Sequence, residues 1–208
     1  MARPKVPLLS VDRIADAALE LVDSGEPFGV NALARRLGVT ASSLYNHVDG
    51  RDGIIELMRG RIAREAGTAD DVLTDLARPW HEAVAETMRA QRRMYAEHPN
   101  LVPLIVGKTI TDPYVIASYD QLATRLRLAG FPDREVLGIV AILDAFAIGM
   151  GLDLASPDDV WQPGEQTETL GRLLHDAPHG VERSDAAFEL GLELTIDSLR
   201  GRLARHTD

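Results

Sequence analysis

Thr40, Ala41, Ser42, Ser43, Tyr45, Asn46 and His47 gather hydroxyls, a phenol, an amide and an imidazole into one short stretch, and Arg51 follows close behind. Such groups donate to phosphate oxygens and pair with base edges. The small residues at the start would let a backbone approach a groove floor. From Pro27 to Val48 there is no Asp or Glu, while Arg35 and Arg36 lie inside the stretch. It therefore avoids repelling a polyanion. Nothing elsewhere offers comparable chemistry. His81-Glu82 lacks the second His one turn later that a helical zinc site needs, and Pro178 separates His175 from His179. Gly149-Met150-Gly151 lacks the preceding strand of a dinucleotide fold. There is no Cys, hence no thiolate chemistry. No catalytic residue, no metal ligand and no cofactor is expected.

The polar groups must be presented by a helix braced at a fixed angle. Val30, Leu33, Ala34 and Leu37 recur at helical spacing, and Gly38 follows where a helix stop needs positive φ. Val39 can plug the angle, and Thr40 is a natural N-cap for a second helix over about 41–47 that buries Leu44 and Val48. An amphipathic helix precedes this pair, with Ser10 as N-cap, Val11, Ile14, Ala15, Ala18 and Val22 on one face, and Gly25 at its end. Another follows over about 51–66, turning Ile54, Ile55, Met58 and Ile62 inward. An ordinary helix pair in an all-α domain is the plainer alternative to a helix-turn-helix that reads the major groove.

The run LARRLGVTASSLYNHVDGRDGIIELM resembles the DNA-binding domain of the TetR family of bacterial transcriptional repressors. Ala34, Leu37-Gly38-Val39, Leu44-Tyr45, His47-Val48 and a basic residue three positions after Val48 carry the likeness, which covers residues 10–66. It implies that Thr40, Tyr45, His47 and Arg51 contact backbone phosphates. Ala41, Ser42, Ser43 and Asn46 would then lie near base edges. Val48 replaces the usual aromatic, Arg51 stands where Lys is common, and Asp49 opposes the phosphate grip. Arg3 and Lys5 form a Pro-flanked arm that reaches a minor groove or is simply a basic tail.

The chain has 208 residues, 45% of them hydrophobic, enough for one or two domains with a real core. Its net charge of −10 falls entirely on residues 67–208, so any DNA contact must be confined to one small face, doubled in a dimer. No apolar run is expected to span a membrane, and the N-terminus lacks the apolar core of a signal peptide, so a cytoplasmic protein without membrane contact is expected.

After a joint at Gly67-Thr68-Ala69-Asp70, the pattern predicts a long helix to about Glu97 containing Leu73, Leu76 and Trp80, with Pro79 as a kink or as the true start. A short turn at 101–106 and helices at 113–129 and 133–154 follow. A Pro-, Gly- and acid-rich loop at 156–185 should contain one short helix near 169–175, and the last helix should cover about 186–204. The helices near 133–154 and 186–204 carry more apolar surface than one core face needs, including Ile139, Ile142, Leu143 and Phe146, then Phe188, Leu192, Ile196 and Leu199. The resemblance implies that they form a homodimer about a two-fold axis, presenting two reading helices to a palindromic double-stranded DNA operator. It also implies a cavity for an unknown small-molecule effector, with Trp80, Met88, Tyr95, His98, Tyr119, Phe146 and Met150 as candidate lining residues. His81 and Asp144 are possible further polar anchors. The expected architecture is all-α, with a helix-turn-helix domain and linker helix at 1–66 and a larger effector-binding and dimerisation domain at 67–208. A helical ligand-binding protein that has lost DNA binding is the rival reading.

Overall fold

The computed structural model describes residues 9–67, 72–164 and 166–207. The basic arm at Arg3 and Lys5, and all but Gly67 of the expected joint, lie outside the described residues. Every regular element among the described residues is a helix: α1 (Val11–Asp23), α2 (Val30–Leu37), α3 (Ala41–Tyr45), α4 (Gly50–Glu65), α5 (Trp80–Glu97), α6 (Val102–Ile105), α7 (Pro113–Ala129), α8 (Asp133–Leu154), α9 (Glu168–His175) and α10 (Gly180–Thr207).

The described residues form two compact units. The first draws on Met1–Gly67 with His98–Asp120, the second on Thr68–Glu97 with Gln121–Asp208. This is not a single cut after residue 66: the stretch around α6 joins the first unit, and α7 contributes to both.

In the first unit α1 packs on α4 and α2, and α2 on α3. Ile14, Leu33, Leu44, Ile54, Ile55, Met58 and Ile62 form its centre, each at most 1% exposed. Burying such a side chain contributes about 1.5–3 kcal/mol. Polar ties then fix the later segment to α4. Arg59 Nη2 donates to the Ile105 carbonyl at 2.9 Å, and Glu56 Oε2 accepts from the Thr111 backbone N–H at 2.8 Å. Asp112 caps α7 by accepting from Tyr114 N–H at 2.9 Å and pairs with Arg64 at 3.2 Å.

In the second unit α5 packs on α8, and α10 on both. α5 begins at Trp80, so Pro79 marks a true helix start, and Leu76 outside it is exposed. A Cβ on Gly151 would lie 2.6 Å from Tyr95 Cβ and 2.9 Å from the Arg92 carbonyl, so glycine permits α8 to approach α5. A Cβ on Gly191 would meet the Phe146 ring at 2.8 Å in the same way.

Two expectations need correction here. α10 begins at Gly180, inside the segment read as loop, because its first turn is fixed from a distance: Gly180 N–H donates to the Asp158 carbonyl at 3.3 Å, and Arg183 pairs with Asp153 at 2.9 Å. And α8 is, by length and composition, long and apolar enough to cross a membrane, with mean hydropathy 2.0 and 33% of its apolar window buried. From Val136 to Leu154 only Asp144 and Asp153 interrupt it. One side of it packs within the unit through Val136, Ile139, Val140, Leu143, Ala147 and Gly151, as a core helix does.

Candidate DNA-binding face and effector region

The turn between α2 and α3 is set by backbone chemistry. Gly38 adopts φ 69°, which costs a Cβ-bearing residue, and Val39 N–H closes back on the Ala34 carbonyl at 3.0 Å. Thr40 then caps α3: its Oγ1 accepts from Ser43 N–H at 3.2 Å and lies 2.9 Å from Ser43 Oγ. α3 is too short to persist alone. Leu44, fully buried, and Val48, 8% exposed, pin it to the first unit.

This anchoring leaves Ser42, Tyr45, Asn46 and His47 exposed, with Ala41 and Ser43 partly so. Tyr45 is 58% exposed, between the buried Leu44 and the exposed Asn46 and His47. Thr40 is also exposed. Arg51, exposed at the start of α4, places its guanidinium over the Phe28 ring, 5.2 Å from its centre. The structure thus brings Thr40, Ala41, Ser42, Ser43, Tyr45, Asn46, His47 and Arg51 to one corner of the first unit. Two details were not readable from spacing. The Ser43 hydroxyl is engaged by Thr40, and Arg36 is paired with Glu20 at 2.9 Å. Asp49 precedes α4 without a side-chain capping bond and is exposed beside this corner.

The candidate effector residues divide between the units. Trp80, Met88, Tyr95, Phe146 and Met150 belong to the second, His98 and Tyr119 to the first. His98 Nδ1 lies 2.9 Å from Asp23 Oδ2, at the end of α1. In the second unit Met88 and Tyr95 are buried, and Trp80 packs edge-on against Phe131 at 5.3 Å. Phe146 stacks on Phe188 at 5.4 Å, and Arg92 covers the Phe188 ring at 4.6 Å. Arg92 is the polar centre here: Nη1 donates to Asp185 at 2.7 Å, Nη2 to Ser184 Oγ at 2.8 Å, and Nε to the Met150 carbonyl at 3.4 Å. Sequence reading missed Arg92, since an arginine on an amphipathic helix reads as solvated.

An open groove of about 930 Å³ runs between α5 and α10, lined by Arg78, His81, Glu82, Arg89, Glu189 and Arg200 among others. Of the effector candidates only His81, a possible polar anchor, lines it; Trp80, Met88, Tyr95, His98, Tyr119, Phe146 and Met150 do not. Its charges largely satisfy one another: Arg78 pairs with Glu86, Arg89 with Glu189 at 2.5 Å, and Arg200 with Asp197 at 3.5 Å. The Arg89 hydrogen bond, opposed by partial burial and aided by the charges of Arg89 and Arg92, holds the Glu189 carboxyl below its ordinary value.

Residues 74–203 match the family described as the tetracyclin repressor-like, C-terminal domain. This chain belongs to the TetR family. Its curated relatives include the HTH-type transcriptional repressor DrrR1 of Streptomyces coeruleorubidus, 27% identical over 150 residues, covering 71% of this chain and 54% of that one. The chain thus spans about half the length of that relative. An HTH-type transcriptional regulator of Saccharopolyspora erythraea is 27% identical over 169 residues, covering 80% of this chain and 68% of the relative. The apo crystal structure of ActR from Streptomyces coelicolor superimposes with a TM-score of 0.70 at 26% identity, covering 96% of this chain and 97% of that one. ActR in complex with actinorhodin superimposes at 0.66 with 27% identity, over 93% and 96% of the two chains. The TetR assignment thus rests on residues 74–203 for the family match and on nearly the full chain for the fold.

Proposed function

We propose that this TetR-family chain is a homodimeric, ligand-responsive repressor, cytoplasmic and without catalytic activity. It binds a roughly palindromic operator through α3 and releases it when a small molecule occupies the region of 67–208. The carrying observation is the exposed polar face of α3, with Tyr45 standing out from it, in the carboxylate-free stretch from Pro27 to Val48, and with Arg51 following. Thr40, Tyr45, His47 and Arg51 grip phosphates; Ala41, Ser42 and Asn46 face base edges, and Ser43 supports them through Thr40.

The homodimer reading is supported by two exposed stripes. α8 presents Leu137, Ala141, Ala145 and Gly149, and α10 presents Leu190 and Leu194, with Leu137 at 76% and Leu194 at 62% exposure. Apolar surface of this kind favours a partner, and a two-fold axis places two reading helices one DNA turn apart. Trp80, Met88, Tyr95, Phe146 and Met150 are the effector candidates in the second unit. Actinorhodin, bound by the relative ActR, is the first compound to try. Effector binding shifts the population toward a conformation whose two reading helices no longer match adjacent half-sites.

The test is fluorescence anisotropy against the DNA flanking the chain's own gene, with scrambled DNA as control and salt varied. Sequence-preferring binding with a steep salt slope is expected. Absence of binding, both there and to any duplex selected from a random pool, would favour a ligand-binding protein without DNA function.

A further inference from the structure

Between α6 and α7 the chain is clamped twice to α4, by Arg59 on the Ile105 carbonyl and by Glu56 on the Thr111 N–H. Between the clamps it turns at Gly107, φ 74°, and residues 106–109 are exposed. From this turn Lys108 reaches the first turn of α4, where Nζ donates to Asp52 Oδ1 at 3.0 Å, across 56 positions of sequence. Asp52 directly follows Arg51, and Asp49 precedes them. Two carboxylates therefore adjoin the arginine that meets phosphate.

The pair is exposed, with side chains 42% and 71% accessible, so as a strut it contributes little: such pairs yield about 0–1 kcal/mol. The buried Arg59 clamp and the exposed Glu56 clamp already hold the segment. What the pair does change is the field at the foot of α4. Without Lys108, Asp52 presents an uncompensated negative charge beside Arg51. With it, the corner carries one more cation, and phosphate attraction depends on the number of such cations.

We propose that Lys108 belongs to the DNA interface: from the turn between α6 and α7 it neutralises Asp52 beside Arg51 and adds a cation to the face that meets backbone phosphates. This rests on the DNA-binding reading above. It extends the interface to a residue outside the helix-turn-helix segment and places it on the stretch that leads into α7.

The experiment measures anisotropy over a range of salt on a duplex that the wild-type chain selects from a random pool, and on its scrambled control. Lys108→Gln is expected to weaken both by about two- to five-fold and to flatten the salt slope by up to about 1 per subunit. Asp52→Asn is expected to act in the opposite direction and tighten both. If Lys108 were only a strut, both substitutions would weaken binding together, with lowered Tm and an unchanged slope, and the proposal would fall. It would fall equally if Lys108→Gln changed nothing. Should Lys108→Gln fold poorly, the sign of the Asp52→Asn effect decides alone. Arg51→Ala separates the two levels. If it is without effect, or if no duplex is selected, the DNA-binding reading itself is wrong; if it weakens binding while the Lys108 and Asp52 variants do not respond as stated, only the present proposal is.

Discussion

The guanidinium of Arg51 lies over the Phe28 ring, 5.2 Å from its centre. Arg51 opens α4 and Phe28 precedes α2, so one contact joins the two ends of the segment that carries the turn and α3. A cation–π contact uses the charge of the guanidinium and does not consume its N–H donors, which can still serve a phosphate. An exposed cation–π contact is worth about 0.5–1 kcal/mol, or about two- to five-fold in affinity. Phe28→Leu should therefore weaken binding to operator and scrambled DNA alike by that factor, measured by anisotropy at fixed salt. A loss confined to the operator would mean that Arg51 reads sequence.

Thr40 and Ser43 engage each other at the start of α3, and this divides their roles from those of Asn46. Thr40→Ala should cost about 1 kcal/mol in denaturant unfolding, as an N-cap does, whereas Thr40→Ser should cost little. Ser43→Ala should leave base preference intact because its hydroxyl is already committed. Asn46→Ala should relax preference at one base position by about 1–3 kcal/mol. Selection from a random pool reads the last two directly, and relaxed preference in the Ser43 variant would reverse the assignment.

The elements most legible in the sequence are those whose ends are fixed locally. Ser10, Gly38 and Thr40 mark the ends of α1, α2 and α3 through their own side chains or φ, and Pro113, Gly130 and Pro132 bracket α7 and open α8. The polar face of α3 was legible for the same reason, since burial of Leu44 determines which neighbours point out. What could not be read depends on distant partners. The first turn of α10 is held by Asp158 and Asp153, and the attachment of residues 98–120 to the first unit runs through Arg59, Glu56 and Arg64. Charged residues at those positions look solvated in a one-dimensional pattern, and so did Arg92.

The apolar stripes separate subunit packing from association. Gly151→Ala forces a Cβ to within 2.6 Å of Tyr95 Cβ, so it should destabilise the subunit by about 1–3 kcal/mol through overpacking. Leu137→Glu and Leu194→Glu lie on open surface and should leave unfolding of the subunit nearly unchanged. They should instead shift sedimentation velocity from dimer toward monomer and abolish tight operator binding. Dimers that persist in both variants would place the interface elsewhere.

Two ion pairs of the second unit give stability a defined pH dependence. For Asp153, burial is the largest influence and pushes the carboxyl up. Hydrogen bonds from Ser184 and Arg183, with the charges of Arg183 and Arg92, outweigh it and hold the group below its ordinary value. Glu189 is held low chiefly by its hydrogen bond from Arg89. Both groups therefore release their protons more readily folded than unfolded. The stability they add is fully present above the unfolded carboxylate range and is lost as pH falls through the lower, folded values. Asp153→Asn and Glu189→Gln should melt below wild type at neutral pH, and the gap should close on acidification into the range where carboxylates protonate. Thermal melts across that range provide the check. The effect should be larger for Asp153, whose side chain is 25% exposed, than for Glu189 at 51%. A gap that stayed constant down to acid pH would show that the two side chains act through packing rather than charge.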